Sequence, residues 1–240
     1  MAIKINSKEL RKIEKISFLT GMHRKKSLNI PQIEPELKNN IQEIDFKTEP
    51  EIELKIELKS NIQEIDFKIF TDGSNTDQAK TFHAKYLRKG GIGIYHPDSN
   101  TQISEPFPFE NPTNIRAEWW AAIRALQWVL EMTKNLNENE QKKIKVFLYI
   151  DCQNVIDSMT KWVPGWKKKG WKKADGKPVL NKELIVLLDN LISNKLPLTT
   201  FIKVKAHQSK PKDKKLLWLW NGNYIADKLA DEGRIKAEQI

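Results

Sequence analysis

The stretch Lys145-Val-Phe-Leu-Tyr-Ile150 constrains the fold more than any other. Its consecutive apolar and aromatic residues leave no polar face, so a strand built from them must be covered on both sides. Such a strand belongs in the middle of a sheet with helices above and below, an α/β arrangement rather than a sandwich. The neighbouring patterns agree. Ile65, Phe67 and Ile69 alternate as a strand ending near Phe70, Gly91-Ile-Gly-Ile-Tyr95 reads as the next, and 102–109 as a third. Helical spacing of Trp119, Ile123, Leu126 and Leu130 predicts a long helix over 115–134, with Asn114 as its N-cap. A short helix to about residue 162, a helix over 179–193, a strand over 199–205 and a last helix over 222–237 follow. Three strands first, then helix and strand in alternation, predict a mixed five-stranded sheet, three strands antiparallel and two parallel, flanked by helices.

Four acids fall at comparable places on that frame. Asp72 follows the first strand in Thr71-Asp-Gly-Ser74, where Gly73 is expected to let the chain turn sharply. Asp151 follows the central strand, Glu118 lies in the opening turns of the first long helix, and Asp227 lies in the last helix. Open α/β sheets bind ligands beyond the carboxyl ends of their strands. Hard oxygen donors with no adjacent cysteine and no paired histidine suit Mg²⁺ or Mn²⁺ rather than Zn²⁺. Crowded carboxylates repel one another and are tolerated beside a divalent cation. The bland alternative makes these four acids caps and surface charges, as most of the 31 acids must be.

Charge and cysteine usage narrow the partners. Lys and Arg number 41, for a net charge of +10, which favours an anionic partner, nucleic acid first. The single Cys152 permits no internal disulfide and no cysteine-based metal site, and fits a reducing compartment. With no apolar run long enough to span a bilayer and no signal-peptide pattern, the chain is expected to be a soluble intracellular protein, cytoplasmic or nuclear, without a membrane partner and monomeric. Residues 1–64 read as a separate charged extension, disordered or loosely docked. Its first 30 residues carry eight Lys or Arg against two Glu, and 31–66 reverse the sign with ten acids against four Lys. Glu36-Leu-Lys-Asn-Asn-Ile-Gln-Glu-Ile-Asp-Phe-Lys47 recurs 21 residues later, with one change, as the segment from Glu57 to Lys68. Two copies are too few to stack into a solenoid.

Within the domain expected over 65–240, roughly residues 65–236 resemble a known family. Thr71-Asp-Gly-Ser74, Asn114-Ile-Arg-Ala-Glu118, Tyr149-Ile-Asp-Cys-Gln153, Lys205-Ala-His207 and Asn223-Tyr-Ile-Ala-Asp227 come in the order of type 1 ribonuclease H. The segment 161–178, beginning Lys161-Trp-Val-Pro-Gly-Trp166, is similar to the basic handle of that family. The resemblance implies a ribonuclease H-like fold and hydrolysis of the RNA strand of RNA–DNA hybrids, leaving 3′-hydroxyl and 5′-phosphate ends. It implies that Asp72, Glu118, Asp151 and Asp227 hold two Mg²⁺ ions, with Mn²⁺ able to substitute, and that His207 assists proton transfer or product release. It places substrate contacts at Asn114, Gln153 and Asn223 and along the handle at Trp162, Trp166, Lys167, Lys168, Lys169, Trp171, Lys172 and Lys173. Within the handle the tryptophans are expected to pack the segment onto the domain, and the lysines to meet phosphates without reading sequence.

The chain also departs from the pattern. Ala206 stands where a glycine is usual, Ile115 where a second asparagine is usual, and Cys152 where a serine is common. The 20 positions from His207 to Asp227 are about twice the usual gap, the excess including Lys210-Pro-Lys-Asp-Lys-Lys215 and Leu216-Leu-Trp-Leu-Trp220. That apolar segment either extends the last helix backwards or covers a partner. The competing reading is a non-catalytic or altered-specificity nucleic-acid-binding module on the same fold, against which the presence of all four acids counts.

Overall fold

A computed structural model describes residues 65–76, 88–206 and 208–239. The expectations for 1–64 and the position of His207 lie outside the described residues. The strands are β1 (Asp66–Asn75), β2 (Gly90–His96), β3 (Thr101–Pro106), β4 (Lys145–Ile150) and β5 (Leu198–Lys203). The helices are α1 (Asn114–Met132), α2 (Glu138–Gln141), α3 (Gln153–Asp157), α4 (Val163–Lys168), α5 (Lys182–Asn194) and α6 (Lys214–Glu238), with a π-helical turn (Ser158–Trp162) joining α3 to α4.

The sheet order is β3-β2-β1-β4-β5. β1 pairs antiparallel with β2, and β2 with β3, while β1–β4 and β4–β5 are parallel. This is the mixed sheet the patterning predicts, with the apolar β4 inside it and Val146, Leu148 and Ile150 fully buried. Alternation along the strands sends successive side chains to opposite faces. A Cβ at Gly73 would meet α1, and one at Gly93 would meet α6, so the two long helices cover the sheet from opposite sides. On the α6 side Phe70 stacks on Tyr149 with ring centroids 4.6 Å apart, and the core continues through Tyr95, Val204, Ala226 and Leu229.

Two expectations change, and one open alternative is decided. β1 does not stop at Phe70 but runs on to Asn75 against β2, so Gly73 makes no turn. Its lack of a side chain serves close packing instead, since a Cβ there would lie 2.3 Å from the Glu118 backbone nitrogen. The N-cap of α1 is Thr113, not Asn114: Thr113 is extended and its hydroxyl accepts from the Arg116 amide at 3.3 Å, leaving Asn114 as the first helical residue. The insertion after His207 extends the last helix backwards by two turns. The Asp213 carboxylate caps the new start, accepting from the Lys215 and Leu216 amides at 3.0 and 2.9 Å. Trp218 then packs edge-on against Phe70 and Tyr149, at 5.0 and 5.3 Å, which fastens the added turns to the core.

Candidate active site

The strand register builds the site. Thr71 pairs with Ile150 as the last rung of the parallel β1–β4 ladder, so Asp72, which continues β1 against β2, and Asp151, just past the end of β4, are the next residues on adjacent strands. Glu118 comes from the second turn of α1, drawn close because Gly73 has no side chain to hold the helix away. Asp72, Glu118 and Asp151 each offer a carboxylate oxygen within 4.8 Å of the others. No other such group of acids, cysteines or histidines occurs among the described residues.

The electrostatics of this cluster are unfavourable without a cation. Burial, followed by the Asp151 charge, pushes the Asp72 carboxyl well above its ordinary range, although the Gly73 amide donates to Asp72 Oδ1 at 2.8 Å. Glu118 is raised in the same direction by burial first, then by Asp72 and Asp151. Its Oε2 is buried without a hydrogen-bond partner among the described residues. An unpaired buried carboxylate oxygen beside two further acids is the environment a hard divalent cation relieves, so the residues fit Mg²⁺ or Mn²⁺.

Around the three acids stand further groups. Asp227 on α6 is half-buried at the edge, close enough for its charge to raise Asp72, and it lines a cavity with Lys205, Gln208, Trp220, Asn223 and Tyr224. Asn223, one turn earlier and buried, donates its amide to Asp151 Oδ2 at 3.4 Å. Lys203 at the end of β5 donates to the Asp151 carbonyl. No residue pattern marks that contact, since Lys203 is the one lysine of β5 and looks like any solvated strand-end lysine. Asn114 is exposed one turn before Glu118, and Gln153 opens α3 with its amide donating to Asp157 at 3.1 Å.

The handle is organised by its tryptophans. Trp171 is 5% exposed, with its amide donating to the Trp166 carbonyl at 2.7 Å and its carbonyl accepting from Val179 at 3.0 Å. Trp162 and Trp166 lie against each other with centroids 5.6 Å apart, Trp162 remaining exposed. Lys167 is tied to Asp189 at 2.6 Å, Lys161 to Asp157 at 2.7 Å and Lys177 to Asp175 at 3.5 Å. Lys168, Lys169, Lys172 and Lys173 make no ion pair with another described residue and carry the surface charge of the segment.

A family model described as RNase H matches residues 64–235. The chain belongs to the RNase H family. It is 34% identical over 167 residues to human Ribonuclease H1, a match covering 68% of this chain and 50% of the human protein, so the chain spans half that relative's length. It is 35% identical over 170 residues to Ribonuclease H of Novosphingobium aromaticivorans, covering 70% of this chain and 96% of the relative. The solution structure of the PFV RNase H domain superposes with a TM-score of 0.53 at 26% identity, covering 71% of this chain and 94% of that domain. The fold is thus RNase H-like, and the five motifs and the handle lie inside the matched region.

The raised carboxyls set a stability trend. A carboxyl whose folded pKa exceeds its unfolded value holds its proton more tightly when folded, so its contribution is greatest at low pH and declines as pH rises from the unfolded value towards the raised folded one. In a chelator, the melting temperature of the wild type relative to Glu118→Gln is expected to fall as pH rises above the ordinary carboxylate range, and Mg²⁺ is expected to close the gap at the upper end. Parallel melting curves for the two proteins, with and without Mg²⁺, check this. A constant difference across the range would contradict it.

Proposed function

We propose that this chain is a Mg²⁺-dependent endoribonuclease of type 1 that hydrolyses the RNA strand of RNA–DNA hybrids to 3′-hydroxyl and 5′-phosphate ends. The observation that carries the reading is the convergence of Asp72, Glu118 and Asp151 from β1, α1 and the end of β4, inside the region matched to the RNase H family. Asp72, Glu118 and Asp151, with Asp227 at the edge, would hold two divalent cations. Cations held there supply activation of the attacking water and stabilisation of the leaving oxygen. The protein's own groups keep that arrangement in place. Asn223 orients Asp151 through its carboxylate, and Lys203 fixes the same residue through its carbonyl. Asn114 and Gln153 present amides that suit 2′-hydroxyls, the groups by which a protein tells RNA from DNA. His207 is assigned proton transfer or product release through the Lys205-Ala-His207 resemblance alone.

The test presents RNA–DNA hybrid, double-stranded RNA, single-stranded RNA and a duplex with one ribonucleotide, each with Mg²⁺. Cleavage of the hybrid and little of the rest is expected. Binding of the hybrid with no cleavage of any substrate would move the chain to the non-catalytic reading. The unpaired handle lysines give a second readout. Replacing Lys168, Lys169 and Lys172 by Ala together is expected to weaken hybrid binding for any sequence and to lower the slope of log affinity against log salt by about 3. A slope equal to that of the wild type would remove the handle from the substrate path.

A further inference from the structure

The turns that the insertion adds to α6 carry an arrangement that the acid cluster does not use. Trp220 and Tyr224 lie one turn apart and stack face to face, with centroids 5.1 Å apart and planes 9° from parallel. The Lys210 ammonium lies 5.9 Å from the centre of the Trp220 ring, and the Lys228 ammonium 5.5 Å from that of Tyr224. The Trp220 indole donates to the Gln208 carbonyl at 2.8 Å, which fixes the ring, while Tyr224 is 46% exposed. Asn223 and Asp227 occupy the neighbouring stripe of the same helix, so the aromatic pair borders Asp227 directly. Between the stripes and Lys205 opens a cavity of about 270 Å³.

We propose that Trp220 and Tyr224, which line this cavity with Lys205 and Gln208, form with Lys228 beside Tyr224 a stacking subsite for a nucleotide of the RNA strand beside the scissile phosphate. The subsite rests on the ribonuclease reading above. A nucleotide presents a flat π-face and an anion together; the outer face of the half-exposed Tyr224 ring is covered only by the flexible Lys228 side chain, whose ammonium moves to the phosphate as a base takes its place on the ring. An apolar protein surface would match the rings but would leave Lys205, Lys210 and Lys228 without counter-charge. The occupant is the RNA strand because the cavity shares Asp227 and Asn223 with the cluster assigned to its cleavage. An exposed ring that nothing in the core requires is thereby given a use, and the long gap between His207 and Asp227 becomes an added contact with substrate.

The test reads binding and turnover separately in the full chain. A hybrid carrying 2-aminopurine in the RNA strand is titrated in EDTA at low salt with wild type, Tyr224→Ala and Tyr224→Phe, and an otherwise identical hybrid carries the label in the DNA strand. Quenching of the RNA-strand label by the wild type, lost in Tyr224→Ala and restored in Tyr224→Phe, is expected. With Mg²⁺, Tyr224→Ala is expected to raise KM about fivefold or more, with a smaller change in kcat. Lys228→Gln is expected to raise KM in the same direction. Equal quenching by wild type and Tyr224→Ala, or a response from the DNA-strand label alone, overturns the subsite even if the hybrid is cut. Quenching that depends on Tyr224 in a protein that cuts no hybrid keeps the subsite and overturns the ribonuclease reading instead.

Discussion

Asp72→Asn is expected to lower kcat/KM on an RNA–DNA hybrid by at least about a thousandfold, roughly 4 kcal/mol at the transition state, while hybrid affinity measured without divalent cation stays within a few-fold. The substitution keeps the shape and removes the charge of the residue at the centre of the cluster. Asp72 is flanked by Glu118 and Asp151 within 4.8 Å, and Asp227 reaches it electrostatically from α6, so losing it removes the carboxylate on which the other three acids converge. The handle lysines, Asn114 and Gln153, the proposed substrate contacts, lie outside this cluster and are expected to keep the hybrid bound. Stability should move the opposite way from activity. Asp72 is buried next to two further acids, so a neutral amide relieves repulsion in the metal-free protein and its melting temperature should rise. The further rise on adding Mg²⁺ should disappear. Full cleavage by the variant would remove Asp72 from the site, and a lower metal-free melting temperature would show that its ionised form is not the strained partner.

Much of this site is legible before any coordinates. The apolar β4 and the alternating β1 dictate a covered parallel pair, and one residue beyond the last rung of their ladder on each chain segment is enough to bring Asp72 and Asp151 together. Glu118 follows because helical spacing fixes which face of α1 is buried. What the sequence leaves open depends on contacts between residues far apart in the chain. Gly73 looks like a turn residue because its neighbours are polar, and only the approach of α1 shows that the missing Cβ is what matters. Thr113 and Asn114 are both competent caps, and the extended backbone at Thr113 decides between them. The apolar Leu216-Leu-Trp-Leu-Trp220 suits a helix or a partner surface equally. Asp213 as a cap and the packing of Trp218 on Phe70 and Tyr149 decide for the helix.

The same approach of helix to sheet, on the opposite face, makes Gly93→Ala a strongly damaging single-methyl addition near the site. A Cβ at Gly93 would lie 2.0 Å from the Ala226 carbonyl oxygen and 2.5 Å from the Ala230 amide nitrogen, both backbone atoms of α6. No rotamer change relieves a clash with backbone, so α6 must lift from β2 or the strand must buckle. Either movement reaches the chemistry, because Gly93 is the antiparallel partner of Asp72 and Ala226 precedes Asp227. The expected cost is about 3 kcal/mol or more, which for a domain of this size lowers the melting temperature by roughly 10 °C. Cleavage should fall further than the folded fraction does, since the surviving molecules hold Asp227 away from Asp72. Gly165→Ala is the control. A Cβ at Gly165 meets nothing within 4 Å, and α4 has helical backbone there, so the change should be neutral or stabilise by up to about 1 kcal/mol. Melting curves for the two variants beside wild type decide it. Equal melting temperatures for Gly93→Ala and wild type would mean that α6 does not rest on the bare backbone of β2, and the placement of Asp227 beside Asp72 would lose its structural basis.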